Sequence, residues 1–431
     1  MPDKWPLANG NWSNAANWNG GTKPVAGDDV FADGRTVTVD ESFTVATLRS
    51  TQRSGGTVGG AFQFNTAGVT GTVTSSSPLV PGATNMVQIT ATTGTVTLSL
   101  GGDVSPRVVS SDVLILHSGA CNFNAIGFNF NGQTNGTNGG SICISKTSAG
   151  LITVTGNING GTVANTCQAL VSTNGNTVVI GNVVGGISPN GLNRAISQSA
   201  GTLTVTGNVT GGQGVTTNQG IVFSGTSLTV TGTILGGTAS AAIDSSAPIN
   251  NITGNVTAGT VAAITSTTAN IINVTGTVTA SSSIAAITST NANGQVYLNG
   301  NMVNNNGKMA IYAPIVWLDT TGTTSAAFFT SGGVARTLYS ADTVPNTPAA
   351  NNVREGVVFG AGNSLTGTIQ MPVAADVRNG VVYDNGTTGT ALFTTTQLLT
   401  EINASSDAVA VRIKNAATPQ ILGELMEAFK K

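Results

Sequence analysis

Along most of the chain, apolar residues alternate with Thr, Gly and Asn, and the alternation returns on a regular period. The phrase Val154-Thr155-Gly156-Asn157-Ile158 reappears as Val179-Ile180-Gly181-Asn182-Val183 and as Val205-Thr206-Gly207-Asn208-Val209. Further copies centre on Gly232, Gly254, Gly276 and Gly300, giving spacings of 25, 26, 25, 22, 22 and 24 residues. A looser copy surrounds Gly132, 24 residues before Gly156. Two positions before the glycine stand Val154, Val179, Val205, Val230, Ile252, Val274 and Leu298. Two positions after it stand Ile158, Val183, Val209, Ile234, Val256, Val278 and Met302. A period of two places one set of side chains inside a strand and the other outside. A second apolar spot follows in each copy: Ala169-Leu170, Ala195-Ile196, Ile221-Val222, Ala242-Ile243, Ala263-Ile264, Ala286-Ile287 and Ala310-Ile311.

Each repeat therefore reads as two or three short strands separated by turns, and none can bury its apolar face alone. Stacking the repeats about 4.8 Å apart closes the core, which predicts an all-β, parallel β-helix solenoid. The bias of parallel crossovers makes it right-handed. The asparagines after the glycine (Asn157, Asn182, Asn208, Asn255, Asn301) predict a ladder of side-chain amides bonded to the coils above and below. The pairs Gly160-Gly161, Gly185-Gly186, Gly211-Gly212 and Gly236-Gly237 predict turns with positive φ.

The pattern divides the chain into five stretches. Residues 1–29 form a Trp-rich N-terminal cap or attachment segment, 30–320 the β-helix, and 321–350 a linker marked by Pro345 and Pro348. Residues 351–393 hold a different, tandem repeat. Val353-Arg354-Glu355-Gly356-Val357-Val358-Phe359 is echoed by Val377-Arg378-Asn379-Gly380-Val381-Val382-Tyr383, and each unit closes on Thr-Gly-Thr. Residues 394–431 end in the one helical candidate. Thr418 and Pro419 start it, Ile421, Leu422, Leu425, Met426 and Phe429 share a face, and Lys430 and Lys431 suit its C-terminal end.

Composition narrows the function. Charged residues make up 8% of the 431, with 16 Lys and Arg against 18 Asp and Glu, while glycine reaches 57. So few basic residues leave no footprint for nucleic acid. No apolar run approaches the roughly 20 residues of a membrane span, and the first residues have no apolar stretch of signal-peptide type. The expectation is a chain assembled in a cytosol with free thiols, without a disulfide framework.

Catalytic chemistry finds few candidates. Between Asp103 and Asp319 the acids are Asp112 and Asp244, several coils apart, whereas glycoside hydrolysis asks for two carboxyl groups within roughly 5 to 10 Å. His117 beside Asp112 and several serines is expected at the surface or in a turn rather than in a triad. Cys121, Cys143 and Cys167 follow the coil period and read as buried thiols, with Cys143 and Cys167 stacked as neighbours. Asp28, Asp29 and Asp33 are dense enough to consider calcium, but their spacing fits turn capping. No catalytic residue, metal or cofactor is assigned, and the chain is read as a non-enzyme. The residues expected to make partner or assembly contacts are Trp5, Trp12, Trp18, Arg354, Arg378 and Phe429. The three tryptophans also read as aromatic caps on an exposed solenoid end.

Two stretches carry a resemblance. Gly10-Asn11-Trp12-Ser13-Asn14-Ala15-Ala16-Asn17-Trp18, then Pro24, Asp28-Asp29-Val30-Phe31 and Val37-Thr38-Val39-Asp40, resemble the opening of β-helical virion proteins of tailed bacteriophages. They are also similar to the first coils of some bacterial autotransporter passengers. The tandem Val-Arg-x-Gly-Val-Val-aromatic units and the C-terminal helical segment resemble the end modules of phage structural proteins. An autotransporter is expected to bring a signal peptide and a translocator barrel, so the phage group is the expectation. That resemblance implies a capsid decoration or cement protein or a head fibre on the virion surface, assembled in the bacterial cytoplasm. It implies a homotrimer that contacts the major capsid protein or another virion protein, with no nucleic acid or membrane partner. The alternative it implies is a tail fibre or tailspike that binds or depolymerises a host surface glycan.

Overall fold

The computed structural model describes residues 2–319 with short interruptions at 55–58, 82–84, 105–111, 137–139, 216, 238, 259, 269–270, 281–284, 301 and 305–308. It also describes short strands at 337–340, 358–359, 365–366, 382–383 and 387–388. The chain divides into two units, Met1–Pro345 and Asn346–Lys431.

The first unit is a parallel β-solenoid. One sheet holds thirteen strands, from Gly10–Asn11 to Met309–Tyr312, each hydrogen-bonded to the strand one coil away. Its central column runs Val37, Phe62, Val87, Ile115, Ile144, Leu170, Ile196, Ile221, Ile243, Ile264, Ile287 and Ile311, all buried and in register. β-Branched and leucine side chains fit because the pleat gives each one the same apolar neighbour above and below. The register sets Ile221 opposite Ile196, so Val222 of the Ile221-Val222 pair faces outward.

The opposite sheet carries the Val-x-Gly-Asn-Val phrase and bends at its glycine. Ile152–Asn159 runs through the bend as one strand. In the next coil it is divided into Thr177–Ile180 and Val183–Val184, each pairing with its own half. Both predicted apolar columns point inward here, from Val154 to Leu298 before the glycine and from Ile158 to Val278 after it. Gly181, Gly207, Gly232, Gly254, Gly276 and Gly300 hold φ between +138° and +148°. A Cβ on any of them would strike the carbonyl of the glycine one coil earlier, so the column admits no other residue. Gly132 does not belong to it. The coil before Gly156 is longer and bulges between Ile126 and Asn129, so Gly127 lies beneath Gly156 while Gly132 packs against Gly160 and Gly161.

The Gly-Gly pairs correct a second expectation, because none of those eight glycines has a positive φ. They are small because neighbouring backbones crowd them: a Cβ on Gly212 would meet the carbonyls of Asn193 and Gly186. A third, four-stranded sheet lies on the N-terminal side, starting with Asp3–Lys4 against Asp29–Phe31. The solenoid's strands thus begin inside residues 1–29, and its last parallel strand, Thr337–Ser340 against Ile315–Asp319, falls within 321–350. In the second unit each tandem repeat places an antiparallel pair at the matching position, Val358–Phe359 with Leu365–Thr366 and Val382–Tyr383 with Thr387–Thr388. The predicted helix around 418–429 lies outside the described residues.

Candidate functional site

Two residues beyond the central apolar column, the thirteen-stranded sheet carries a second inward column. It runs Val39, Phe64, Ile89, His117, Lys146, Ser172, Gln198, Phe223 and Ser245, with Ser266 and Ser289 in later coils. Strand alternation forces these side chains inside, and all the polar members are buried. His117 is therefore a core residue, contrary to the surface or turn position expected from its serine-rich surroundings. Its Nε2 lies 3.0 Å from the Cys121 carbonyl, which can only accept, so Nε2 carries the hydrogen. Burial pushes the His117 pKa down to about 4, helped by the neighbouring Lys146 charge and opposed by hydrogen bonding to the Cys121 and Gly119 backbone.

Lys146, in register with His117 one coil on, is also fully buried. Its Nζ donates to the Ser148 carbonyl at 2.8 Å and to the Asn174 carbonyl, and burial pulls its pKa down to about 8. Lys146 belongs to no sequence motif, although Ile144-x-Lys146 repeats the spacing of Ile115-x-His117 and Leu170-x-Ser172. That spacing was the available signal. A second buried polar stack joins Asn193 to Asn218, where Asn193 Nδ2 donates to Asn218 Oδ1 at 3.0 Å and to the Ser188 carbonyl at 2.9 Å.

The three thiols are buried and free, as the coil spacing predicts. Cys143 and Cys167 sit in adjacent coils but not opposite each other, since Cys167 pairs with Ser141. Burial raises all three thiols, Cys167 to about 11, and Cys143 further still with Cys167 beside it. Cys121 Sγ lies 3.9 Å from His117 Nε2, but that nitrogen already donates to a carbonyl and the thiol is held protonated. The pair lacks the thiolate that nucleophilic chemistry requires.

The acids are dispersed. Asp28 is buried and accepts from the Val25 amide, Asp29 accepts from Thr47 Oγ1, and Asp33, at φ +52°, accepts from the Arg53 amide. Each closes its own turn or strand contact, which is the capping role expected. Asp244 faces outward beside Thr265, and its charge supports Arg194, whose guanidinium burial disfavours. The side chain of Asp112 lies outside the described residues. Among the described residues no group of three or more His, Cys, Asp or Glu could hold a metal ion, and no helix is long and apolar enough to cross a membrane.

Of the expected contact residues, Trp12 and Trp18 are buried in the first coil. Their rings meet edge-on at 5.1 Å, Trp12 stacks on Phe43 at 4.2 Å, and Trp18 Nε1 donates to the Trp12 carbonyl. Trp5 stays partly exposed under the Arg53 guanidinium at 4.1 Å. Arg354, Arg378 and Phe429 lie outside the described residues. The remaining candidate is a surface: the outward side of the glycine-hinged sheet, an array of Thr, Asn and scattered apolar residues. Comparison with protein-family models, curated proteins and solved structures finds no match for this chain.

Proposed function

We propose that the chain is a non-enzymatic structural protein of a bacteriophage particle, a capsid decoration or cement protein or a head fibre on the virion surface, acting as a homotrimer. The observation that carries this reading is the combination of a hydrogen-bonded solenoid with a separate unit of tandem hairpins. Stacked coils convert a repetitive sequence into a stiff rod of about 4.8 Å per coil. A rod of this kind can serve as structure without chemistry of its own. The interior supports this assignment, because His117, Lys146 and the three cysteines are shut in the core, where burial disfavours their charged forms. The N-terminal Trp-Asn pattern and the Val-Arg-x-Gly-Val-Val units support the phage part through resemblance.

The test is a cryo-EM map of particles purified from infected cells that produce this chain. Trimeric solenoid density on the capsid lattice or its vertices is the expected result. Density at the tail tip, with Asp112 or Asp244 brought near an acid of a neighbouring subunit, would replace it with the glycan-cutting tailspike. Absence from the particle overturns the virion reading.

A further inference from the structure

The outward side of the glycine-hinged sheet differs from the rest of the surface in one respect. From Phe43–Val45 to Gln295–Asn299, its strands contain no Asp, Glu, Lys, Arg or His. Its two outward columns are Thr153, Val178, Thr204, Thr229, Asn251, Asn273 and, two residues on, Thr155, Ile180, Thr206, Thr231, Thr253, Thr275. Six of the ten exposed large apolar side chains among the described residues lie on the same sheet, Ile126, Phe128, Ile180, Val184, Leu235 and Ile249, while Leu7, Val25, Ile187 and Val215 lie elsewhere. By contrast, the thirteen-stranded sheet shows Asp244 outside, with Arg194 close by, and the short N-terminal sheet carries Asp3, Lys4, Asp29 and Arg49.

We infer that this uncharged face is where a second copy of the chain docks, the rods lying side by side. This deepens the self-association part of the function proposed above, the same face of each of three chains turning toward a common axis and meeting its neighbours there, and does not depend on the particle. Three arguments fix the occupant. The flat part of the face spans roughly 50 Å of stacked strands at about 4.8 Å each and about 16 Å along each strand at about 3.3 Å per residue. That is roughly 800 Å², the share of each partner in a standard stable interface. Apart from Asp103, which accepts from Asn129 Nδ2 at 2.8 Å beside the early strands, two such faces meet among the described residues without stripping water from an ion, whereas a charged partner would lose hydration here with little countercharge to recover it. A long, neutral, partly apolar face left in water would associate unselectively, and an identical face with the same repeat along its length matches it coil for coil.

Sedimentation and light scattering on the full purified chain test this. The wild type is expected as an oligomer of defined mass. Ile126→Lys with Ile180→Lys is expected to reduce that mass to one chain, with far-UV circular dichroism unchanged. Thr206→Lys with Thr231→Lys serves as an independent pair, since both side chains are exposed and neither touches the core. Ser197→Lys, outward on the thirteen-stranded sheet, is expected to leave the oligomer intact. A monomeric wild type, an oligomer that survives the Thr206/Thr231 pair, or equal dissociation by Ser197→Lys would each overturn the inference. The virion reading fails separately, by absence of the chain from particles.

Discussion

The first coils and the central coils solve the same packing problem by different means. Between Asp3 and Arg53 the described ion pairs (Lys23–Glu41, Arg49–Asp29 and Arg53–Asp3) accompany two cation–π contacts and the buried Trp12, Trp18 and Phe43 rings. Between Ile152 and Asn299 stability comes from backbone ladders, small apolar columns and a line of glycines. The difference follows from position. An inner coil has the same neighbour above and below, so one residue choice works every time and the sequence repeats. In the first coils the neighbours differ from one coil to the next, and large rings pack against one another there. Repetition marks where the environment repeats, and singular side chains mark where it ends.

The sharpest way to break this contrast is at glycine. Gly232, at φ +145° with the Gly207 carbonyl where its Cβ would stand, tolerates no side chain, and Gly232→Val is expected to cost more than about 4 kcal/mol or to abolish folding. Gly20 in the first region also has a positive φ, +73°, but opens onto empty space, so Gly20→Ala is expected to cost only about 1–2 kcal/mol. Urea titration of the two variants measures the difference. Equal losses would show that backbone strain, rather than the approach of the neighbouring coil, sets the cost.

Trp12→Ala comes next, at about 3–5 kcal/mol for a buried aromatic ring. A solenoid couples nearest neighbours, so the damage should stay local. Hydrogen exchange is expected to speed up in Gly10–Asn11, Thr36–Val39 and Phe43–Val45, while Thr202–Thr206 and Ser227–Thr231 keep their protection. Uniform loss along the rod would mean that the whole unit unfolds as one cooperative body.

Much of this architecture was legible because period-two alternation and a recurring glycine are both statements about a strand. Val154, Val179 and Val205 could be assigned inward from the sequence, and the register confirms them. What misled was local composition. The Ser and Asp around His117 argue for the outside, yet Ile115 two residues earlier fixes its side. Spacing alone aligns Gly132 with the column, and the bulge between Ile126 and Asn129 moves the true partner to Gly127. The Gly-Gly pairs look like turn residues in one repeat, but the reason for their size is contact between coils that no single repeat displays. The uncharged face was hidden because a face is visible only after register joins residues some 25 positions apart.

His117, the one histidine of the chain, gives a pH dependence on the acid side. Its folded pKa near 4 lies below the ordinary 6.5, so over that window the unfolded chain binds a proton that the native chain refuses. Stability therefore rises with pH from about 4 to 6.5 and is lost on acidification across the same range, by about 3 kcal/mol from this group. His117→Phe, matching Phe223 in the same column, is expected to remove that part of the slope in pH-dependent denaturation. An unchanged slope would assign it to carboxylates instead.

The smallest effect tests how the asparagines work. They were expected to form an amide-to-amide ladder, and Asn157 Nδ2 does donate to Asn129 Oδ1 at 2.9 Å. Further along, Oδ1 accepts the backbone amide of the next coil: Asn157 from Asn182, Asn182 from Asn208, Asn208 from Thr233 and Asn255 from Thr277. These sites are exposed, so water takes up the freed amide, and Asn208→Ala should cost about 0.5–1 kcal/mol. Because Asn208→Ala retains the backbone amide that Asn182 receives, Asn182→Ala and Asn208→Ala share no lost bond. The double variant is expected to equal the sum of the singles within about 0.5 kcal/mol. A side-chain-only ladder would behave otherwise: the first substitution would already break the link between them, and the second would cost less.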